Sequence, residues 1–250
     1  MKFETNTYFN VDINGPIATL QLDYNLILEN TTYKHKQLFL DSLDKISQDE
    51  SIKTLIISND HPGYSLELFR KKWDDFYNND DFEHNILRAF RTFDELYLKI
   101  KSLKKAIISV NIKPENVMLF NFSLAADLRI IQKDFIIDND NTNMGNISKG
   151  GVLFSSTEFP FKNPFKLLFL LKEITAETLY KRQLVDRVYK NNIRKEVFKI
   201  AEHLSSFDYI ELETLKMSDH ERLNAVERLF QQENEFLLSC IRIKHNRDKI

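Results

Sequence analysis

The stretch Ser102-Leu103-Lys104-Lys105-Ala106-Ile107-Ile108-Ser109-Val110-Asn111 decides the fold. Its second half, from Ala106, is short and almost wholly apolar. A strand reads this way when it lies in a parallel sheet covered on both faces. Thr54-Leu55-Ile56-Ile57-Ser58 reads the same way, and Leu128-Arg129-Ile130-Ile131 makes a third such segment. Between the first two, residues 84–103 place Ile86, Leu87, Phe90, Phe93, Leu96, Tyr97 and Ile100 on one stripe at helical spacing. Between the last two, residues 117–126 are small or apolar and read as a helix. Strands separated by helical stretches predict βαβ units.

Working outward, Phe9 to Ile13 and Ile17 to Leu22 alternate apolar and polar residues around Asn14-Gly15, a hairpin signal. Residues 31–48 carry Leu38, Phe39, Leu43 and Ile46 at helical spacing. His61-Pro62-Gly63 breaks the chain after the Leu55 strand. Residues 64–84 are polar, aromatic and rich in Asp and Asn, with no element assigned. Helices are predicted over 164–171, 175–182, 193–205 and 219–240, with a turn at Lys190-Asn191-Asn192. No repeat or linker divides the chain. The pattern predicts one α/β domain with an all-helical C-terminal third.

Composition narrows the function. Of 250 residues, 42% are hydrophobic and 29% charged, enough for a substantial core. The net charge of -2, with both signs interspersed, gives no electrostatic case for nucleic acid or an anionic membrane. No apolar run is long enough to cross a bilayer, and the first residues lack a signal-peptide core, so a cytoplasmic protein is expected. The single cysteine, Cys240, excludes an intramolecular disulfide and a cysteine-based zinc cage. The six histidines never pair at metal-ligand spacing, and no metal or organic cofactor is implied. His61 is the one histidine near a candidate site. Only 5 glycines occur, about 2% where about 7% is usual. There is no phosphate-binding loop, dinucleotide fingerprint or Gly-x-Ser-x-Gly elbow.

Three segments in register resemble the crotonase (enoyl-CoA hydratase/isomerase) superfamily. Residues 102–111 resemble its "lpKPvIAaVnG" strand, and Ala125-Ala126-Asp127-Leu128-Arg129-Ile130 its "aCDlRIA". Ile174-Thr175-Ala176-Glu177 through Leu184-Val185-Asp186-Arg187-Val188 is similar to "isAeeAlelGLVnrVv". The match spans residues 8 to about 205. It implies the crotonase-like α/β fold: a repeated ββα/βαβ core over 1–205 and a helical region over 206–250 that packs in the oligomer, one domain overall.

The resemblance also implies a site. In the family, two backbone N–H groups form an oxyanion hole for an acyl-thioester carbonyl. Their counterparts belong to Leu66, in Tyr64-Ser65-Leu66-Glu67-Leu68-Phe69, and to Met118. The family's glycine and aspartate in the first loop fall on Glu67 and Phe69, and the three glycines of the second loop fall on Val117, Met118 and Leu119. The loop before them, Asn111 to Asn116, is one residue longer than the family's. The two glutamates that handle water and the α-proton fall on Asn121 and on Asn141, or Asn139 when counted forward from Phe135. Amides do not titrate, so a catalytic role would pass to Asp138 or Asp140. The basic CoA-binding loop corresponds to residues 23–30, which hold two acids and no base; Lys34, His35 and Lys36 follow on the next helix. Phe69, Trp73, Phe76 and Tyr77 stand where the family shapes its substrate pocket.

The expected ligand is an acyl-CoA or acyl-carrier-protein thioester. The expected assembly is a homotrimer or hexamer through the stripe Leu223, Val226, Leu229, Phe230, Phe236, Leu237 and Ile241. Loss of the glutamates, the glycines and the basic loop favours a non-catalytic protein that serves a partner enzyme. The alternative is a divergent hydratase, isomerase or other enolate-forming enzyme.

Overall fold

A computed structural model describes residues 6–28, 34–139, 149–155 and 170–248. The main sheet runs β1-β2-β3-β4-β6-β9, built from Phe9–Asn14, Ile17–Leu22, Thr54–Ser58, Ala106–Asn111, Leu128–Gln132 and Arg187–Tyr189. β1 and β2 are an antiparallel hairpin; every later pairing in this sheet is parallel. The hairpin turn falls on Gly15 and Pro16, one residue later than the sequence suggests, and Gly15 supplies the positive φ of 56°. A small second sheet joins β5 (Glu115–Asn116), β7 (Ile136–Asp138) and β8 (Glu173–Thr175) in the order β5-β7-β8.

Burial explains the strands. All five residues of β3 and all six of β4 are buried, because helices cover both faces. On one face α1 (Lys34–Gln48), α3 (Phe82–Lys101) and α4 (Val117–Ser123) build the large core around Leu55, Ile57, Phe93 and Phe122. On the other, α6 (Ile193–Ser205) covers Ile56, Ile108, Val110 and Ile130 with Ile193, Val197 and Ala201.

Two expectations need correction. The stretch after His61-Pro62-Gly63 contains a helix, α2 (Leu66–Tyr77), which buries Phe69, Trp73 and Phe76 at i, i+4 and i+7. The C-terminal third is not all helical: it includes β8 and β9 beside α5 (Ala176–Lys181). The helix predicted over 164–171 lies almost wholly outside the described residues. The last helix, α7 (Tyr209–Asp248), is longer than expected. Its Val226, Phe230, Leu237 and Ile241 join the protein's own core, while Phe236 and Ile243 stay exposed. No helix among the described residues is long and apolar enough to cross a membrane.

Candidate functional site

In parallel α/β sheets the crevice beyond the carboxyl ends of the strands is where ligands gather. Here β3 ends into Asn59 and β4 ends on Asn111. Asn59 ties the two exits together. Its Oδ1 accepts from the backbone N of Ile112 (2.7 Å) and Lys113 (3.1 Å), and its Nδ2 donates to the Lys113 carbonyl (2.7 Å) and to Glu115 Oε1 (2.8 Å). Lys113 Nζ donates to the carbonyls of His61 (2.7 Å) and Tyr64 (2.8 Å), and Tyr64 Oη donates to the Pro114 carbonyl (2.9 Å). The Asn111–Asn116 loop is thus fastened to the loop that leads into α2.

Both segments then enter helices. Ser65 caps α2 by accepting from Leu68 N, so Leu66 is its first residue. Asn116 caps α4 by accepting from Leu119 N at 2.9 Å, so Met118 is its second. N–H groups of a helix's first turn lack intrahelical acceptors, which suits both positions to an oxyanion. Yet Val117, Met118 and Leu119 are core residues, each 3% exposed or less, where the resemblance expects glycine. Glu67 is exposed and Phe69 is in the core.

Asn121 is fully buried and donates from Nδ2 to the Lys149 carbonyl at 2.9 Å. Gly150, at φ 83°, packs so closely that a Cβ there would sit 2.9 Å from Asn121 Cβ. Beneath this contact Lys149 Nζ bonds Asp94 Oδ1 and Glu233 Oε2, both at 2.7 Å, and lies 4.2 Å from the Phe230 ring centre. Glu233 also accepts from the backbone N of Gly150 (3.0 Å) and Val152 (3.1 Å). Burial pushes the Asp94 carboxyl up to about 6 against the pull of Lys149.

Asp138, on β7, pairs with Asn116 in the small sheet and so stands beside the start of α4. Its Oδ2 meets Arg70 of α2 at 2.7 Å, in a pair about one-third exposed. Asn139 turns its amide to the Leu171 carbonyl (2.6 Å) and gives its backbone N to Lys172 O (2.7 Å). Asp140 and Asn141 lie outside the described residues. His61 is buried and accepts from Gly63 N through Nδ1 at 3.1 Å; burial holds its imidazole below the usual range. In place of a basic loop, residues 24–28 form a buried 3-10 turn anchored by Asp23, which accepts from Asn25. Lys36 spans to Glu95 on α3 at 2.6 Å. Phe69, Trp73 and Phe76 face the core, and Trp73 packs 6.0 Å from Phe90.

The sequence reading missed Glu115. It is wholly buried, and its Oε1 accepts from Asn59 (2.8 Å) and Asn111 (2.9 Å). Burial pushes the carboxyl up to about 8, with the amides of Asn111 and Asn59 and the Tyr24 phenol pulling the other way. It is therefore mostly protonated at neutral pH, a neutral acid clamped between two amides. The available signal was one acid two residues before α4. Among the described residues no cluster of His, Cys, Asp or Glu could hold a metal ion.

No protein-family model matches the chain. No curated protein matches it in sequence. Solved structures do. An enoyl-CoA hydratase from Bacillus halodurans superposes with a TM-score of 0.77 at 16% identity, over 96% of this chain and 97% of that one. A probable enoyl-CoA hydratase from Mycobacterium thermoresistibile gives 0.71 at 15%, over 94% and 95%. Pseudomonas aeruginosa DspI gives 0.69 at 15%, over 94% and 96%. A likeness this extensive shows that the chain has the crotonase fold.

Proposed function

We propose that this is a non-catalytic or accessory crotonase-fold protein with a degenerate active site, acting in the cytoplasm to scaffold or modulate a partner enzyme. The observation that carries the reading is Asn121: where the resemblance assigns a glutamate stands a buried amide bonded to the Lys149 carbonyl. An amide exchanges no proton near neutral pH. A general acid or base contributes roughly 10²–10⁴-fold, so its loss removes several kcal/mol of barrier lowering. Core side chains at the family's glycine positions support the same reading. The test is crotonyl-CoA hydration followed by absorbance, with calorimetry of acetyl-CoA alongside. Both should be silent; turnover near about 1 s⁻¹ would overturn the proposal.

We further propose a homotrimer or hexamer, supported by exposed Phe236 and Ile243 on α7. Sedimentation velocity is the check; a 29.7 kDa species at all concentrations would contradict it.

Asp138 favours a second reading, because it stands beside the start of α4. In that reading the protein is a hydratase, isomerase or other enolate-forming enzyme. It acts on a CoA- or carrier-bound acyl thioester, with Asp138 or Asp140 as acid–base group and the N–H groups of Leu66 and Met118 as oxyanion donors. Turnover of a carrier-bound thioester, abolished by Asp138→Asn, would establish it.

A further inference from the structure

The face of the main sheet that carries α6 changes character across its width. Strand register sets Asn10 beside Gln21, Ser58 and Val110 in one row, and Asp12 beside Thr19, Ile56 and Ile108 in the next. The inner ends of these rows are apolar and lie under α6. The outer ends, on the β1–β2 hairpin, are polar. At the boundary lies a cleft of about 340 Å³, within the size range of small-ligand sites.

Its two walls differ in chemistry. Ile56, Val110, Val197 and Phe198 make an apolar wall; Asn10, Asp12, Asn14 and Thr19 make a wall of hydrogen-bonding groups. Asn10, Asp12 and Asn14 alternate along β1, so their side chains project about 6.8 Å apart on one face. Asn and Asp are depleted in strands, and three on one face of a six-residue strand run against local propensity. Such conflicts between local preference and fold concentrate at functional sites.

The cleft also has a built corner. The Asp60 side chain, 5% exposed, accepts from Arg194 Nε (2.7 Å) and Nη2 (2.6 Å), Gln21 Nε2 (3.1 Å) and Ser58 Oγ (2.8 Å). Burial opposes its ionisation, but these bonds outweigh it and hold the carboxyl below the usual range. Asp60 thereby fixes the guanidinium, whose side chain remains 74% exposed. With Asp12 and Asp60 set against Arg194, the lining has a formal charge of -1, which disfavours phosphates and carboxylates.

We propose that this cleft binds a neutral, hydroxyl-rich ring, such as a hexose or pentose unit. Its C–H face lies on the partly exposed Phe198 at the rim of the apolar wall, and its hydroxyls donate to Asp12 and exchange hydrogen bonds with the amides and Thr19. Hydroxyl groups both donate and accept, as a mixed wall of carboxylate, carboxamide and hydroxyl requires. The cleft belongs to the α6 face, whereas α4 with Asn121 packs into the main core, so this proposal and the catalytic reading fail independently.

The test is saturation-transfer NMR on the full chain with D-glucose and D-ribose, against choline and methyl phosphate. One or both sugars should bind saturably with Kd of about 1–10 mM, ahead of both comparators. Asp12→Ala should weaken binding about tenfold and Thr19→Val about threefold, magnitudes fitting one lost hydrogen bond each. Both sites are on the hairpin surface, and unchanged melting temperatures confirm that the variants fold. Three results would each overturn the proposal: no saturable sugar binding up to about 100 mM, a preference for choline or methyl phosphate, or sugar binding unaltered in both variants.

Discussion

Asn59 and Glu115, 56 positions apart, meet at 2.8 Å inside the crevice beyond β3 and β4, amide to carboxyl. The carboxyl titrates near 8 in the folded chain against 4.5 as an exposed group. The folded state therefore holds a proton that the unfolded state has lost, and stability falls as pH rises from about 4.5 to 8, then levels off. The limiting slope is about 1.4 kcal/mol per pH unit. Glu115→Gln keeps the acceptor that Asn59 and Asn111 use and removes the titration. The variant should gain on the wild type steadily between pH 5 and 8 in urea unfolding. Parallel stability curves would show that Glu115 carries no such proton. Asp94 adds a similar fall below about 6 in both proteins, so the comparison isolates Glu115.

Lys149 is the cation between Asp94 and Glu233. Lys149→Met leaves two buried carboxylates facing each other. Removing one partner of a buried ion network costs about 3–5 kcal/mol. The loss should be smaller at pH 5 than at pH 8, because acid protonates the stranded Asp94, whose carboxyl is already pushed up to about 6 by burial. Denaturant unfolding at the two pH values measures it. A loss under about 0.5 kcal/mol, in the range of surface substitutions, would contradict the buried triad.

The Arg70–Asp138 pair is one-third exposed, and solvent screens it. Arg70→Ala and Asp138→Asn should each cost less than about 1 kcal/mol, shrinking further in high salt. That small structural effect is useful. If any thioester is turned over, a loss of about 10²-fold or more in Asp138→Asn would be chemical rather than conformational. An unfolded or strongly destabilised Asp138→Asn protein would instead give this residue a structural role.

The sequence was most legible where burial is uniform. β3, β4 and β6 announced themselves because helices on both faces demand runs such as Leu55-Ile56-Ile57 and Ile107-Ile108. β5, β7, β8 and β9, at two or three residues each, are too short to show a period, and their partners lie far away in sequence. α2 was hidden because Phe69, Trp73 and Phe76 sit among Lys71, Lys72, Asp74 and Asp75, which read as loop chemistry. At the site, Asn121 could be found by counting from Asp127. Glu115 could not, because its burial is created by Asn59 and Tyr24 on other strands and turns.

The sharpest test of the proposed accessory reading is to place a carboxylate at position 121, where the resemblance assigns a glutamate. Asn121→Asp changes almost no volume and keeps the Cβ that packs against Gly150. It replaces a donor facing the Lys149 carbonyl at 2.9 Å with an acceptor. An ionised carboxylate there is wholly buried, with an acceptor where its donor was. An unmatched buried acceptor costs about 1–3 kcal/mol, more when charged. The aspartate should therefore protonate in preference to ionising. The variant should lose about 2–4 kcal/mol at pH 8 and recover much of it at pH 5, where the protonated acid again donates. It should gain no hydratase activity, since a carboxyl held protonated by its surroundings is a poor base. A variant as stable as the wild type at pH 8 that hydrates crotonyl-CoA would show that the position kept its access to substrate, and the accessory reading would fall.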